Sequence, residues 1–160
     1  MESRPPSEKN KGRKEKKMKN ILFRGKTNKY DRYIEKGSWI YGDYVNLKDG
    51  TSILPYIYGV GEVCRDTVGQ YTGVDDKNGK KLFEGDVVKF ISEDCVEIHA
   101  LCVYDVDLLQ FVFESKFSYF TLSDIVSLYD QGLEEKFEII GNIFDNPELV
   151  NWEVDFIENK

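Results

Sequence analysis

Four carboxylates crowd one stretch of the chain, Asp75, Asp76, Glu84 and Asp86, with a glycine-punctuated loop, Gly73 to Lys81, between them. Clustered carboxylates are what general acid–base work on a small molecule would use, and glycine loops are what cradles a phosphate. Spacing decides against the second. A phosphate loop needs Gly-x4-Gly-Lys-Ser/Thr, so that amides wrap the phosphates and a hydroxyl reaches magnesium; here the second glycine, Gly79, arrives one residue late and Lys81 stands where the hydroxyl belongs. A calcium loop fails as well. With Asp76, Asn78 and Gly79 at its third, fifth and sixth positions, Val74 would lead the loop and Gly85 would replace the bidentate carboxylate. Asp86 follows Gly85 at a tight corner, where its carboxylate is suited to accept nearby backbone amides.

The remaining chemistry-bearing residues are scattered. Cys64, Cys95 and Cys102 show no CxxC spacing, and the only histidine is His99. A structural zinc would need all four to converge, so reduced thiols and no metal are expected. His99 shares a strand face with Glu97, opposite Cys102, and no nucleophile elbow or Cys-His signature accompanies it. Phe111, Phe113, Phe117 and Tyr119 recur at strand spacing. They would suit base stacking if interleaved with basic residues, but only Lys116 is near, so the row reads as core.

The elements that must position these residues are strands. The 160 residues are 41% hydrophobic and include ten Tyr and ten Phe, a composition that favours sheet. A chain of this length buries roughly 70% of its unfolded surface and needs no staple. The net charge of −7 is uneven: residues 1–19 hold eight Lys/Arg against three Asp/Glu, leaving 14 basic against 26 acidic residues in the body. That body repels nucleic-acid phosphates and favours solubility or a basic partner. Residues 1–17, with Pro5-Pro6 and no large apolar side chain, are expected to be a disordered basic leader ahead of a natural start at Met18. The other reading of this segment is a basic arm for anionic surfaces. No apolar run approaches a membrane span.

Strands are predicted at Ile21–Arg24, Ser38–Leu47 and Ser52–Tyr58, the last two joined by a turn at Asp49-Gly50. Pro55 marks the last of these as an edge. Asn78-Gly79 predicts a type I′ hairpin. Val96, Ile98, Ala100, Cys102 and Tyr104 alternate on one face of a further strand. Asp105-Val106-Asp107 turns the chain into strands at Leu109–Glu114 and Lys116–Thr121. A short helix begins at Leu122-Ser123-Asp124, the last strand is Phe137–Phe144, and Asn146-Pro147 caps a brief helix. The expected fold is mainly β and antiparallel, with one or two short helices. A β-rich subdomain is expected over 18–69, a small SH3-like barrel over 70–150, and a tail or helix end over 151–160.

Three separated stretches, in order, resemble the YopX family of bacteriophage and prophage proteins. They are Gln70-Tyr71-Thr72-Gly73 with Asp76-Lys77-Asn78-Gly79-Lys80, then Glu84-Gly85-Asp86-Val87-Val88, then Ile139 to Leu149 with Gly141, Asn142 and Pro147. Ile21–Arg24 and Trp39–Gly42 look similar too. The resemblance covers about residues 19 to 150, with 1–17 outside it. It implies a phage or prophage origin, a bacterial host cytoplasm and a β-rich fold, and brings no catalytic residue or cofactor with it. The motif residues are therefore expected to be structural.

Three functional expectations follow. The leading one is a non-enzymatic accessory protein that binds an unidentified host or phage protein, a basic one included, with a homo-oligomer allowed. The second is a nucleic-acid-binding barrel aided by the basic arm, or an acidic mimic of DNA. The third is an enzyme using Asp75, Asp76, Glu84 and Asp86.

Overall fold

Alternating apolar residues build two antiparallel sheets. The computed structural model describes residues 21–30, 32–47, 50–55, 61–92, 94–130 and 137–150. In chain order the strands are β1 (Phe23–Lys26), β2 (Trp39–Leu47), β3 (Gly50–Pro55), β4 (Gly61–Glu62), β5 (Gly69–Asp75), β6 (Lys81–Phe83), β7 (Asp86–Ile91), β8 (Glu97–Asp105), β9 (Gln110–Glu114) and β10 (Tyr119–Thr121). Helix α1 (Leu122–Asp130) and β11 (Glu138–Asn142) follow, and 3-10 turns span Arg65–Thr67 and Pro147–Val150. One sheet has the order β4-β3-β2-β1-β5-β6, the other β10-β9-β8-β7-β11. The fold is mainly β and antiparallel, as the composition implied.

The division of the chain departs from the expected one. β5 pairs with β1 (Phe23↔Gln70) and carries β6 with it, so the boundary expected after residue 69 falls inside the six-stranded sheet. The five remaining strands form a sheet edged by β10 and β11, and a closed SH3-like barrel is not among the pairings of the described residues. β3 is interior rather than an edge, since Ser52 and Ile53 pair with β4 while Pro55 sits beyond that pairing, opposite Gly42. The β2–β3 hairpin is present, with Leu47↔Gly50 as its last pair; its expected turn at residues 48–49, the leader at 1–17, the end of the third predicted strand at 56–58 and the tail at 151–160 lie outside the described residues.

The two-residue period of the strands gives each sheet an apolar face. On the six-stranded sheet Ile40, Ile53 and Val63 form a cluster, joined by Phe23, Ile34, Tyr44 and Val68. On the five-stranded sheet Val88, Phe90, Ala100, Cys102, Phe113 and Ile139 pack with Leu82, Ile125 and Phe137. The expected aromatic row is split by the register. Phe113 is opposite Phe120, so Tyr119, paired with Glu114, faces the other way. Phe113 is fully buried while Phe117 is 87% exposed. Only the first half of the row is core. Helix α1 starts where the sequence places it, because Thr121 and Asp124 exchange amide bonds as a capping box, Asp124 N donating to Thr121 Oγ1 (3.2 Å) and Thr121 N to Asp124 Oδ2 (2.7 Å).

Candidate functional site

The opposite face of the six-stranded sheet carries Arg24, Lys26, Trp39 and Tyr41, set side by side by the β1–β2 register. Onto this face the five-stranded sheet docks. The Arg24 guanidinium lies 2.7 Å from the Asp86 carboxylate, with the two side chains 5% and 1% exposed. It also donates to the Glu84 carbonyl (3.2 Å) and rests over the rings of Trp39 and Phe83, 4.6 and 4.9 Å from their centroids. The other Asp86 oxygen accepts the Phe83 amide (2.9 Å), the backbone role expected of it. Burial pushes the Asp86 carboxyl up from its ordinary range, against the pull of Arg24 and the Phe83 amide. Gly85 makes the corner at φ +83, and a Cβ there would stand 3.1 Å from the Phe144 ring.

The closing motif locks the same junction from the other side. Ile143 N donates to the Gly85 carbonyl (2.9 Å), and Gly85 N to that of Cys102 (2.8 Å). Asn142 Oδ1 accepts the amides of Phe144 and Asp145 (3.0 and 2.9 Å). Asp145 then receives Trp39 Nε1 (2.7 Å), Asn142 Nδ2 (2.8 Å) and the Lys26 ammonium. Partial burial pushes its carboxyl up, but the bonds from Lys26, Asn142 and Trp39 outweigh this and hold it down at about 2. Phe144 packs on Trp39, ring centroids 5.8 Å apart. Pro147 opens the turn that brings Leu149 over Gly141, where a Cβ would meet Leu149 at 2.7 Å.

Asp76 ties the hairpin to the far edge of the second sheet. Its Oδ1 accepts the amides of Asn78 and Lys80 (2.8 and 2.9 Å), and its Oδ2 that of Ile139 in β11 (3.1 Å). Burial raises its carboxyl, but these backbone bonds win and lower it. The turn is not type I′: only Gly79 has positive φ, and Gly79 N returns to the Asp76 carbonyl (3.0 Å). This is a type I turn closed by a left-handed glycine, chosen because the Asp76 carboxylate stabilises the helical geometry of the residues after it. Within β5, Gly73 stands in the bulge between Tyr71 and Asp75, and Thr72 Oγ1 donates to the Leu82 carbonyl (3.1 Å). Tyr71 packs on Phe83, and burial together with Asp75 pushes its phenol up to about 12.

The four carboxylates therefore do not converge. Asp75 takes the Tyr71 hydroxyl (2.6 Å), Asp76 takes amides, Asp86 takes Arg24, and Glu84 faces a cleft. His99 bonds Glu97 at the surface (3.0 Å). Cys64 and Cys95 are exposed, and Cys102 is buried, with its thiol pushed far up by desolvation. Among the described residues no His, Cys, Asp and Glu group could hold a metal ion, and no helix is long and apolar enough to cross a membrane.

One cleft, about 390 Å³, is lined by residues from both sheets: Phe23, Tyr44, Arg65, Val68, Gln70, Glu84, Tyr104 and Val106. The β8–β9 turn, whose Val106 lines this cleft, presents Val106, Leu108 and Leu109, which are 72%, 52% and 75% exposed. Asp105 holds this tip by accepting the amides of Asp107 and Leu108 (2.8 and 2.9 Å). Leu109 has φ +54, a left-handed position that costs a non-glycine residue about 1–2 kcal/mol. Sequence reading assigned Leu109 to a strand and missed the tip. The signal available was a turn built of Val and Leu where Gly or Asn is usual.

The comparison with curated proteins gave no match. A crystal structure of protein EF1440 from Enterococcus faecalis is similar at 20% identity and a TM-score of 0.44, over 82% of this chain and 98% of that one. The family model described as YopX protein matches residues 7–151, reaching further into the N-terminal segment than the motifs did. With the match spanning most of its length, the chain belongs to the YopX protein family.

Proposed function

We propose that the chain is a non-enzymatic interaction protein of phage or prophage origin that binds a host or phage protein in the bacterial cytoplasm. One observation carries this reading: the β8–β9 turn holds three apolar side chains out in water, on a tip braced by Asp105, with Leu109 in a conformation that glycine would adopt more easily. Exposed apolar side chains on a braced, preordered tip favour protein recognition, since little ordering entropy is lost on contact. Asp75, Asp76 and Asp86 are engaged separately, by the Tyr71 hydroxyl, by backbone amides and by Arg24, which favours the non-enzymatic reading. The test is affinity capture from host lysate, free and cross-linked, with the full chain as bait. A discrete partner recovered above background supports the reading, and none in either sample overturns it.

A further inference from the structure

We infer that the cleft lined by both sheets receives an arginine or lysine side chain of the bound protein, with Glu84 as its counter-charge and the rings of Phe23, Tyr44 and Tyr104 as its walls. This rests on the interaction function proposed above and gives it a chemistry.

Gln70 and Glu84 both belong to the stretches that resemble the family. Both line the cleft. The Glu84 backbone is fully used, its amide on Gln70 and its carbonyl under Arg24, but its side chain makes no ion pair among the described residues. Burial pushes the Glu84 carboxyl up, only partly offset by the backbone of Gln70 and Tyr104. The half-buried Glu84 carboxylate lies beside aromatic rings, held by the Gln70 and Tyr104 amides but with no ion pair among the described residues. A docking ammonium or guanidinium supplies the missing charge and is drawn by the ring faces at the same time. An anionic ligand would meet Glu84 at close range and lose more than it gained.

Two further features fit a side chain carried on a polypeptide. The volume of about 390 Å³ is at the small end of ligand clefts, room for one long side chain and its flanking main chain. Arg65, exposed at the mouth and without an ion pair among the described residues, has donors free for the carbonyls of that main chain. The adjoining apolar tip, Val106 to Leu109, would cover the stem and the neighbouring residue. An acidic body, 26 Asp/Glu against 14 Lys/Arg beyond residue 19, favours encounter with a basic partner.

The test is selection from a displayed library of random twelve-residue peptides on the full chain, followed by anisotropy titration of the enriched peptides. The expected result is enrichment of Arg or Lys beside an apolar residue, with binding weakened at least about tenfold by Glu84→Gln, the loss of one charge-assisted hydrogen bond. The thermal midpoint of Glu84→Gln should equal or exceed that of the parent, because a half-buried charge is removed. Peptides that depend on Leu109 but lack a basic residue and ignore Glu84→Gln would overturn the cleft assignment and leave the interaction function standing. Selection that enriches nothing overturns the cleft assignment too, while lysate capture reports on the function independently.

Discussion

Arg24 and Asp86 form a pair that water does not reach, so each is tolerable only while the other is present. Removing one partner of such a pair costs about 3–5 kcal/mol. Asp86→Ala is therefore expected to lower the urea midpoint steeply, while Arg24→Met with Asp86→Leu recovers most of the loss; a double-mutant cycle measures the coupling. The corner before Asp86 was legible in the sequence because Glu84-Gly85-Asp86 is a local signal. Its partner was not, since a strand arginine far away in the chain says nothing of what it faces. Asp145 behaves oppositely with pH. Its carboxyl is held at about 2 against an ordinary 3.8, so between these values the native state binds fewer protons than the unfolded one and stability falls as pH falls. Asp145→Asn should flatten acid unfolding over that window, read by fluorescence of Trp39.

Strand β11 is an edge, and an edge strand exposes donors that invite mispairing. Here the Asp76 carboxylate takes the Ile139 amide, and Lys77 N bonds the Phe137 carbonyl (3.1 Å). The hairpin that the sequence marks with Asn78-Gly79 thus serves as an edge cover as well as a turn. Asp76→Ala should cost about 1–3 kcal/mol by leaving buried amides unpaired, with hydrogen exchange at Ile139 faster than at the paired amides of β8. Most strands were readable from alternation, and α1 from its cap. Sheet membership was not, because period two assigns faces and says nothing of which strand lies alongside. That is why β5 and β6 turned out to extend the first sheet, and why Phe120 rather than Tyr119 entered the core.

At the scale of the whole molecule, two of the three separated stretches, Glu84–Val88 and Ile139–Leu149, meet the opening strands at one junction. Arg24 and Trp39 come from the first sheet, Gly85 and Asp86 from the second, and Asn142 and Asp145 from the closing stretch. These contacts link the two sheets. The surface assigned to function lies elsewhere, on the β8–β9 tip and the cleft behind it, and its signal in the sequence was an apolar turn with no glycine. Stability and recognition should therefore separate by mutation. The most direct test is Leu109→Gly, comparing partner capture with the unfolding midpoint in the same preparation. Glycine relieves the left-handed strain at φ +54 and removes an exposed side chain, so the midpoint should hold or rise while capture is lost. Capture undiminished in a folded Leu109→Gly chain would contradict the account.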